Sequence, residues 1–255
     1  MLDIRGLSFR YVKRSPLVLD GVDLTLQPGQ IGIVLGKNGS GKTTLFKLLL
    51  GILRPERGTI RFDGKDLLRM SRGDRARYTA YVPQDIRFGA LTVRDTVLAG
   101  RVSRFGYRAG QADEAAVDRI LREMQLEEFA LRNVEHLSGG ERQKVAIARA
   151  MAQEPRILVF DEPTGSLDIA NEQLILSEAR RLAHEKGISI LISLHDLNQA
   201  ADLGNRFFLL KAGRVRYAGG ADILTEDVIR DVFDAKVRIV ETEGQKIIIQ
   251  GGKER

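Results

Sequence analysis

The string Gly36-Lys37-Asn38-Gly39-Ser40-Gly41-Lys42-Thr43 has the spacing G-x-x-x-x-G-K-[ST]. Its glycines let consecutive backbone N–H groups turn inward around phosphate oxygens, Lys42 would bridge phosphates, and the Thr43 hydroxyl could ligate Mg²⁺. A second string, Ile157-Leu158-Val159-Phe160-Asp161-Glu162, is an apolar run ending in two adjacent carboxylates. Successive side chains on a strand point to opposite sides, which would send Asp161 toward Mg²⁺, directly or through water, and Glu162 toward a water lined up on a γ-phosphate. In a third, Leu137-Ser138-Gly139-Gly140-Glu141-Arg142-Gln143, Ser138 and Glu141 have capping-box spacing, and the two glycines leave the first amides of the helix uncovered by side chains. Alone this string reads as a capped helix. Beside a phosphate loop it also reads as a second anion site, at which another copy of the chain would present its nucleotide.

The intervening residues predict the elements that must hold these strings. Apolar residues alternate with polar ones from Leu2 to Leu26, broken at Gly6, Pro16 and Gly21, as in short antiparallel strands. The run Ile31 to Leu35, the glycine loop and the stretch Thr43 to Leu50 read as strand, loop and helix, the order that a phosphate loop requires. Thr59 to Phe62 and Tyr78 to Val82 read as strands, and from Thr92 to Met151 the spacing turns helical. Ile157 to Phe160 and Ile188 to Leu194 read as strands buried on both faces and flank a helix from Ile169 to Lys186, a pattern that implies a parallel sheet. Phe207 to Leu210 and Arg214 to Tyr217 read as strands, followed by a short helix near Asp222 to Phe233 and a polar hairpin around Gly244.

Composition narrows the chemistry further. With 255 residues, 43% of them hydrophobic, the chain can bury a substantial core, and intrinsic disorder is excluded as its main state. The absence of cysteine excludes disulfides, thiolate metal sites and a thiol nucleophile. Forty Lys and Arg against 34 Asp and Glu give +6, a mild tilt toward anionic partners. No stretch approaches the roughly 18 apolar residues of a membrane span, and the opening Met1-Leu2-Asp3-Ile4 lacks the basic start of a secretion signal, so a soluble intracellular chain is expected.

Taken in order, these motifs resemble those of ATP-binding cassette ATPases, the motor subunits of ABC transporters, over nearly the whole chain. The resemblance implies an α/β fold: a P-loop NTPase (RecA-like) core (1–84 and 155–235) with an N-terminal antiparallel β subdomain, an inserted α-helical subdomain (85–154) and a short C-terminal hairpin (236–255). It implies ATP and Mg²⁺ as cofactors, with Tyr11, Gly36, Lys37, Asn38, Gly39, Ser40, Gly41, Lys42, Thr43 and Thr44 around the nucleotide. Tyr11 would stack on adenine, with Phe9 as the alternative. Gln84, in Tyr81-Val82-Pro83-Gln84, would touch Mg²⁺ and the attacking water and link the core to the helices. Glu162, His195 and Gln84 form the implied catalytic set, and Thr43, Gln84 and Asp161 the implied metal set. Ser138, Gly139, Gly140 and Gln143 would meet the ATP of a second copy, and Asp168, in Pro163-Thr164-Gly165-Ser166-Leu167-Asp168, would lie at the seam.

The implied partners are that second copy, polytopic permease subunits and an external substrate-binding protein, at the cytoplasmic face of the inner membrane; nucleic acid is not expected. Arg87, Phe88, Arg101, Arg104 and Phe105 are the implied permease contacts. Val97-Leu98-Ala99-Gly100-Arg101, the run Leu137 to Ala152, Ser193 to Ala200 and Leu224-Thr225 resemble importers of siderophore-bound iron, haem or cobalamin. Lys37 is less usual in its loop, and Gly165-Ser166 is similar to exporters and lipoprotein-release systems, so lipid or lipoprotein export stays open as an alternative. A soluble cassette protein acting on ribosomes or DNA would share the nucleotide motifs but usually carries two cassettes or a long coiled-coil insertion. A P-loop kinase would leave Leu137 to Gln143 and His195 without a role.

Overall fold

Strands buried on both faces organise the molecule. In the computed structural model, which describes residues 1–84, 88–105, 108–165, 167–242 and 245–251, every residue of β3 (Ile31–Leu35) is buried, as is every residue of β7 (Ile157–Asp161) and β8 (Ser189–Ser193). The chain begins with β1 (Leu2–Phe9) and β2 (Leu19–Leu26), and after β3 and the glycine loop it enters α1 (Lys42–Leu49). Next come β4 (Arg57–Phe62), β5 (Lys65–Asp66), α2 (Arg72–Ala76) and β6 (Thr79–Val82). The helical stretch holds α3 (Val93–Ala99), α4 (Gln111–Glu123) and α5 (Gly139–Met151). After β7 follow α6 (Ile169–Lys186), β8, α7 (Leu197–Leu203), β9 (Arg206–Lys211) and β10 (Arg214–Gly219). The chain then closes with α8 (Glu226–Phe233), β11 (Val237–Thr242) and β12 (Gln245–Gln250).

Two sheets result. One runs β2-β1-β4-β5 and is antiparallel; the other runs β10-β9-β3-β8-β7-β6, parallel except for its edge strand β10. Alternation along the parallel strands splits the interior into two cores. Val34, Val159, Leu191 and Phe208 point toward α1 and the antiparallel sheet, while Ile33, Phe160, Ile192 and Leu209 point toward the other helices. Helix α1 is thereby sandwiched between the sheets through Leu45, Phe46, Leu48 and Leu49. The loops after β3, β6, β7 and β8 all emerge at the carboxyl edge of the parallel sheet, where open α/β sheets bind ligands.

The helical stretch is held by apolar packing and buried charge. Arg101 is 7% exposed and bonded to Asp113 at 2.8 Å and Glu154 at 2.9 Å. A hydrogen bond from the Gly110 amide, followed by one from Arg101, holds Asp113 below its ordinary carboxylate range. Helices α3 and α5 approach so closely that a Cβ on Gly100 would lie 2.1 Å from the Arg149 carbonyl oxygen. Gly100→Ala is therefore expected to destabilise the chain by about 1–3 kcal/mol, read as a lower urea midpoint; an unchanged midpoint would mean that this crossing is not tight.

Two expectations for the C-terminal part are corrected. The helix near Asp222 to Phe233 is interrupted: Ala221–Ile223 is a 3-10 turn, and α8 starts afresh where the Thr225 side chain accepts from the Val228 amide. The hairpin is also not simply polar, since Ile248 is 5% exposed and packs with Ile229 and Val237. Asn198 of α7 fastens it by donating to the Ile248 carbonyl at 3.1 Å and accepting from its amide at 2.7 Å. Gly244 lies outside the described residues.

Candidate nucleotide site

Helix α1 starts at Gly41, whose φ of 107° is open to glycine and whose lack of a side chain leaves the first-turn amides uncapped. A Cβ on Gly36 would lie 2.4 Å from the Leu210 carbonyl oxygen, so the loop's first turn also requires glycine. Lys42 is 5% exposed, and its Nζ donates to the Gly36 carbonyl at 2.9 Å, which folds the side chain back over the loop. Asn38, Gly39 and Thr43 are exposed, whereas Ser40 is buried with its Oγ lacking a protein partner. Uncapped amides, a folded lysine and an unpaired hydroxyl make a cradle of donors that suits phosphate oxygens.

Around this loop lies a cleft of about 550 Å³ lined by Tyr11, Val18, residues 38–44, Gln84, Glu162 and His195. A larger groove of about 1050 Å³, lined by Tyr78, Arg156 and Ile188 among others, sits at the amino ends of the parallel strands, away from these motifs. The chemistry favours the smaller cleft.

Tyr11 is 56% exposed, its hydroxyl 3.1 Å from the Thr44 Oγ1, and its ring stands edge-on to Phe9 at 4.9 Å. Phe9 itself is 7% exposed, and this burial removes it as the alternative adenine platform. Thr44 is buried with its hydroxyl tied to Tyr11, leaving its first-turn amide as the group it can offer. Lys37 is turned away from the cleft toward an ion pair with Asp234, just past the end of α8.

Asp161 ends β7 at 4% exposure. Glu162 does not continue the strand's alternation, contrary to the sequence argument: its φ is +50°, in the left-handed region. That conformation costs a non-glycine residue roughly 1–2 kcal/mol, and a hydrogen bond from the Glu162 amide to the Ser193 Oγ at 3.0 Å helps to hold it. The turn leaves the Glu162 carboxylate 2.7 Å from the His195 Nε2 and 3.6 Å from the Lys42 Nζ. Glu162, His195, Lys42 and Gln84 therefore meet at one cleft although they come from four different segments of the chain.

The third string behaves differently. Ser138 caps α5 in a full capping box with Glu141, and the hydrogen bonds from Ser138 hold Glu141 below the usual carboxylate range. Ser138 and Gly139 are exposed and do not line the cleft of their own chain. Gly140 is buried, because a Cβ there would lie 1.8 Å from the Asn171 Oδ1. Gln143 is 4% exposed with its Nε2 unpartnered, so it faces the interior and is withdrawn from the surface that a second chain would meet. Asp168 caps α6, accepting from the Asn171 amide at 2.8 Å and its Nδ2 at 3.0 Å. Ser166 lies outside the described residues, as does Arg87.

Of the permease contacts expected from sequence, Arg101 is corrected by its burial in ion pairs. Arg104 pairs with Glu154 at 3.0 Å, and Phe88 packs on the helical core beneath the Arg149 guanidinium. Phe105 is half-buried. A groove of about 270 Å³ is lined instead by Leu50, Ile52, Tyr81, Pro83, Arg149 and Gln153, among others. Sequence reasoning also missed Ser193, Tyr81 and Asn171. The signal for Ser193 was a hydroxyl two residues before His195, in a run that is apolar from Ile190 to Ile192; that for Asn171 was its place three residues after Asp168.

Comparison with known proteins fits this geometry. Residues 19–165 match the family model described as ABC transporter. The hemin import ATP-binding protein of Myxococcus xanthus is 39% identical, over 95% of this chain and 93% of its own length. The structure of a transporter described as of the metal-chelate type, inward-facing, superposes with a TM-score of 0.83 at 30% identity, covering 97% of this chain and 95% of that one. A dimeric, post-hydrolysis ATP-binding cassette bound to ADP and Pi gives a TM-score of 0.73 at 25% identity, covering 87% of this chain and 99% of that one. On its motifs, its fold and these likenesses, the chain belongs to the ABC transporter family, as one of its ATP-binding, ATP-hydrolysing subunits.

Proposed function

We propose that two copies of this chain close head to tail around two ATP molecules and drive import of a metal chelate, of the class that includes haem, through membrane permease subunits. The observation that carries the reading is the Glu162 carboxylate held between the His195 Nε2 and the Lys42 Nζ at the mouth of a phosphate cradle. On ATP binding, Lys42 exchanges the Gly36 carbonyl and Glu162 for phosphate oxygens. Glu162, released from that ion pair, accepts a proton from the attacking water, and His195 orients the water against the γ-phosphate. Tyr11 offers its exposed ring to adenine. Ser138 and Gly139 present the positive end of α5 to the partner copy's phosphates, and Asp168 stands near the same seam.

The donor set fits Mg²⁺ bound jointly with phosphate. Thr43 is exposed and lines the cleft, and Asp161 is buried next to the cleft-lining Glu162, yet no group of three or more Asp, Glu, His or Cys among the described residues could hold an ion alone. Thr43, Asp161 and Gln84 are the residues that would hold it, and when bound it supplies neutralisation of charge on the β- and γ-phosphates.

No helix among the described residues is long and apolar enough to cross a membrane, and in this reading the transport path belongs to the permease subunits. The groove at Leu50, Ile52, Tyr81 and Pro83, beside Gln84, suits a short helix of such a permease. The working place is then the cytoplasmic face of the membrane, with an external binding protein delivering the chelate. The hemin importer of Myxococcus xanthus and the metal-chelate transporter structure support this cargo class. Deleting the gene in its host is expected to abolish uptake of one labelled metal chelate, with rescue by the wild-type chain and not by Glu162→Gln. Unchanged uptake together with lipoprotein retained in the inner membrane would replace import by export.

A further inference from the structure

Ser193, the last residue of β8, is fully buried, and its hydroxyl makes a bond on each side. Oγ accepts from the Glu162 amide at 3.0 Å and lies 2.9 Å from the Asp161 Oδ1. The polarity of this pair is forced. An amide N–H can only donate, so Oγ receives it, and the single hydroxyl proton goes to the carboxylate, which is an acceptor. The other carboxylate oxygen, Asp161 Oδ2, accepts from the Tyr81 hydroxyl at 3.3 Å. Tyr81 belongs to β6 and Ser193 to β8, the two strands that flank β7. Each neighbouring strand therefore sends one hydroxyl to the same carboxylate.

Packing alone does not call for these groups. The preceding residues of β8, Ile190, Leu191 and Ile192, fill the two cores with apolar side chains, and a buried hydroxyl in their company costs stability unless it is bonded. Burial pushes the Tyr81 phenol well above its ordinary range, and the Asp161 charge adds to the push, so the hydroxyl stays a donor. Ser193 differs from Tyr81 in one respect: it also supports the backbone turn at Glu162, where φ is +50°.

We infer that Ser193 and Tyr81 are positioning residues for ATP hydrolysis, Ser193 joining the metal-side carboxylate of Asp161 to the backbone of the catalytic base Glu162 and Tyr81 fixing the second Asp161 oxygen. The inference rests on the reading of Asp161 as a Mg²⁺ ligand and Glu162 as the base. It separates the two hydroxyls: both orient Asp161, and only Ser193 also aims Glu162.

The test uses the full chain with wild type, Ser193→Ala and Tyr81→Phe. Ser193→Ala is expected to lower kcat and to raise the half-saturating Mg²⁺ concentration, each by about 10–100-fold, the usual effect of removing an outer-shell partner. Tyr81→Phe is expected to raise the Mg²⁺ requirement while kcat at saturating Mg²⁺ stays within about twofold of wild type. A direct readout accompanies these: in a Glu162→Gln background, Mn²⁺ affinity for the ATP complex, followed by the electron paramagnetic resonance signal of free Mn²⁺, should weaken with either second substitution. Affinity for a fluorescent ATP analogue in EDTA should stay at the wild-type value, which shows that the fold and cradle are intact. Wild-type kcat and Mg²⁺ dependence in Ser193→Ala would overturn the inference, and so would an equal loss of analogue affinity in EDTA, the sign of a merely structural role. Wild-type turnover that needs no divalent ion, or full activity in Glu162→Gln alone, would overturn the underlying reading, and neither result depends on Ser193.

Discussion

Replacing Glu162 by glutamine is expected to reduce ATP turnover by about 10²–10⁴-fold, the range that a positioned general base contributes. The amide keeps the shape of the side chain and can still bond His195, so the cleft does not collapse, but it cannot take the water's proton. Binding should survive. Glu162 lies 3.6 Å from the Lys42 Nζ, and removing its charge frees Lys42 for phosphate, so ATP affinity should equal or exceed that of wild type. Because ATP is then held and not cleaved, the variant should accumulate as an ATP-dependent dimer that ADP does not support. Phosphate release, equilibrium ATP binding and light scattering after size exclusion measure the three parts. Normal turnover would remove Glu162 as the base, and lost binding would make the carboxylate part of the cradle itself.

Ser138→Arg is expected to reduce hydrolysis to background without affecting ATP binding by the single chain. Ser138 is exposed and lies outside the cleft formed by its own glycine loop, so a new guanidinium there leaves that cleft unaltered. Loss of the cap costs about 1 kcal/mol of local stability, too little to unfold the protein. The bulk instead falls on the surface that would meet the partner copy's γ-phosphate, and no ATP-dependent dimer should form, even in the Glu162→Gln background. If the isolated monomer lost ATP affinity, the string at Ser138 would act on its own chain's nucleotide and the head-to-tail arrangement would fail.

Much of this was legible because each motif is continuous in sequence and the physics behind it is local. Glycines at Gly36 and Gly41 mark backbone that a Cβ would obstruct, and the apolar runs at Ile31 and Ile157 mark strands covered on both faces. What escaped depends on contacts between distant segments. The left-handed turn of Glu162 is supported by Ser193, 31 residues away, and no period in the sequence announces it. Arg101 read as a permease contact, yet Glu154, 53 residues on, draws it into the interior. Gln143 ends the string that begins at Leu137 but lies on the buried side of α5, about one helical turn on from the buried Gly140. The hairpin looked polar because Ile248 reveals its role only through Asn198, 50 residues earlier.

The central claim, an ATPase that works on a membrane partner, is tested most directly by identifying what the chain binds in its own host. A tagged copy expressed at native level, purified from solubilised membranes and analysed by mass spectrometry should carry a polytopic permease in stoichiometric amount, held more weakly when Leu50, Ile52 and Pro83 of the groove beside Gln84 are replaced by charged residues. Ribosomal proteins at that stoichiometry, with no membrane subunit, would contradict the transporter account and make the chain a soluble mechanoenzyme.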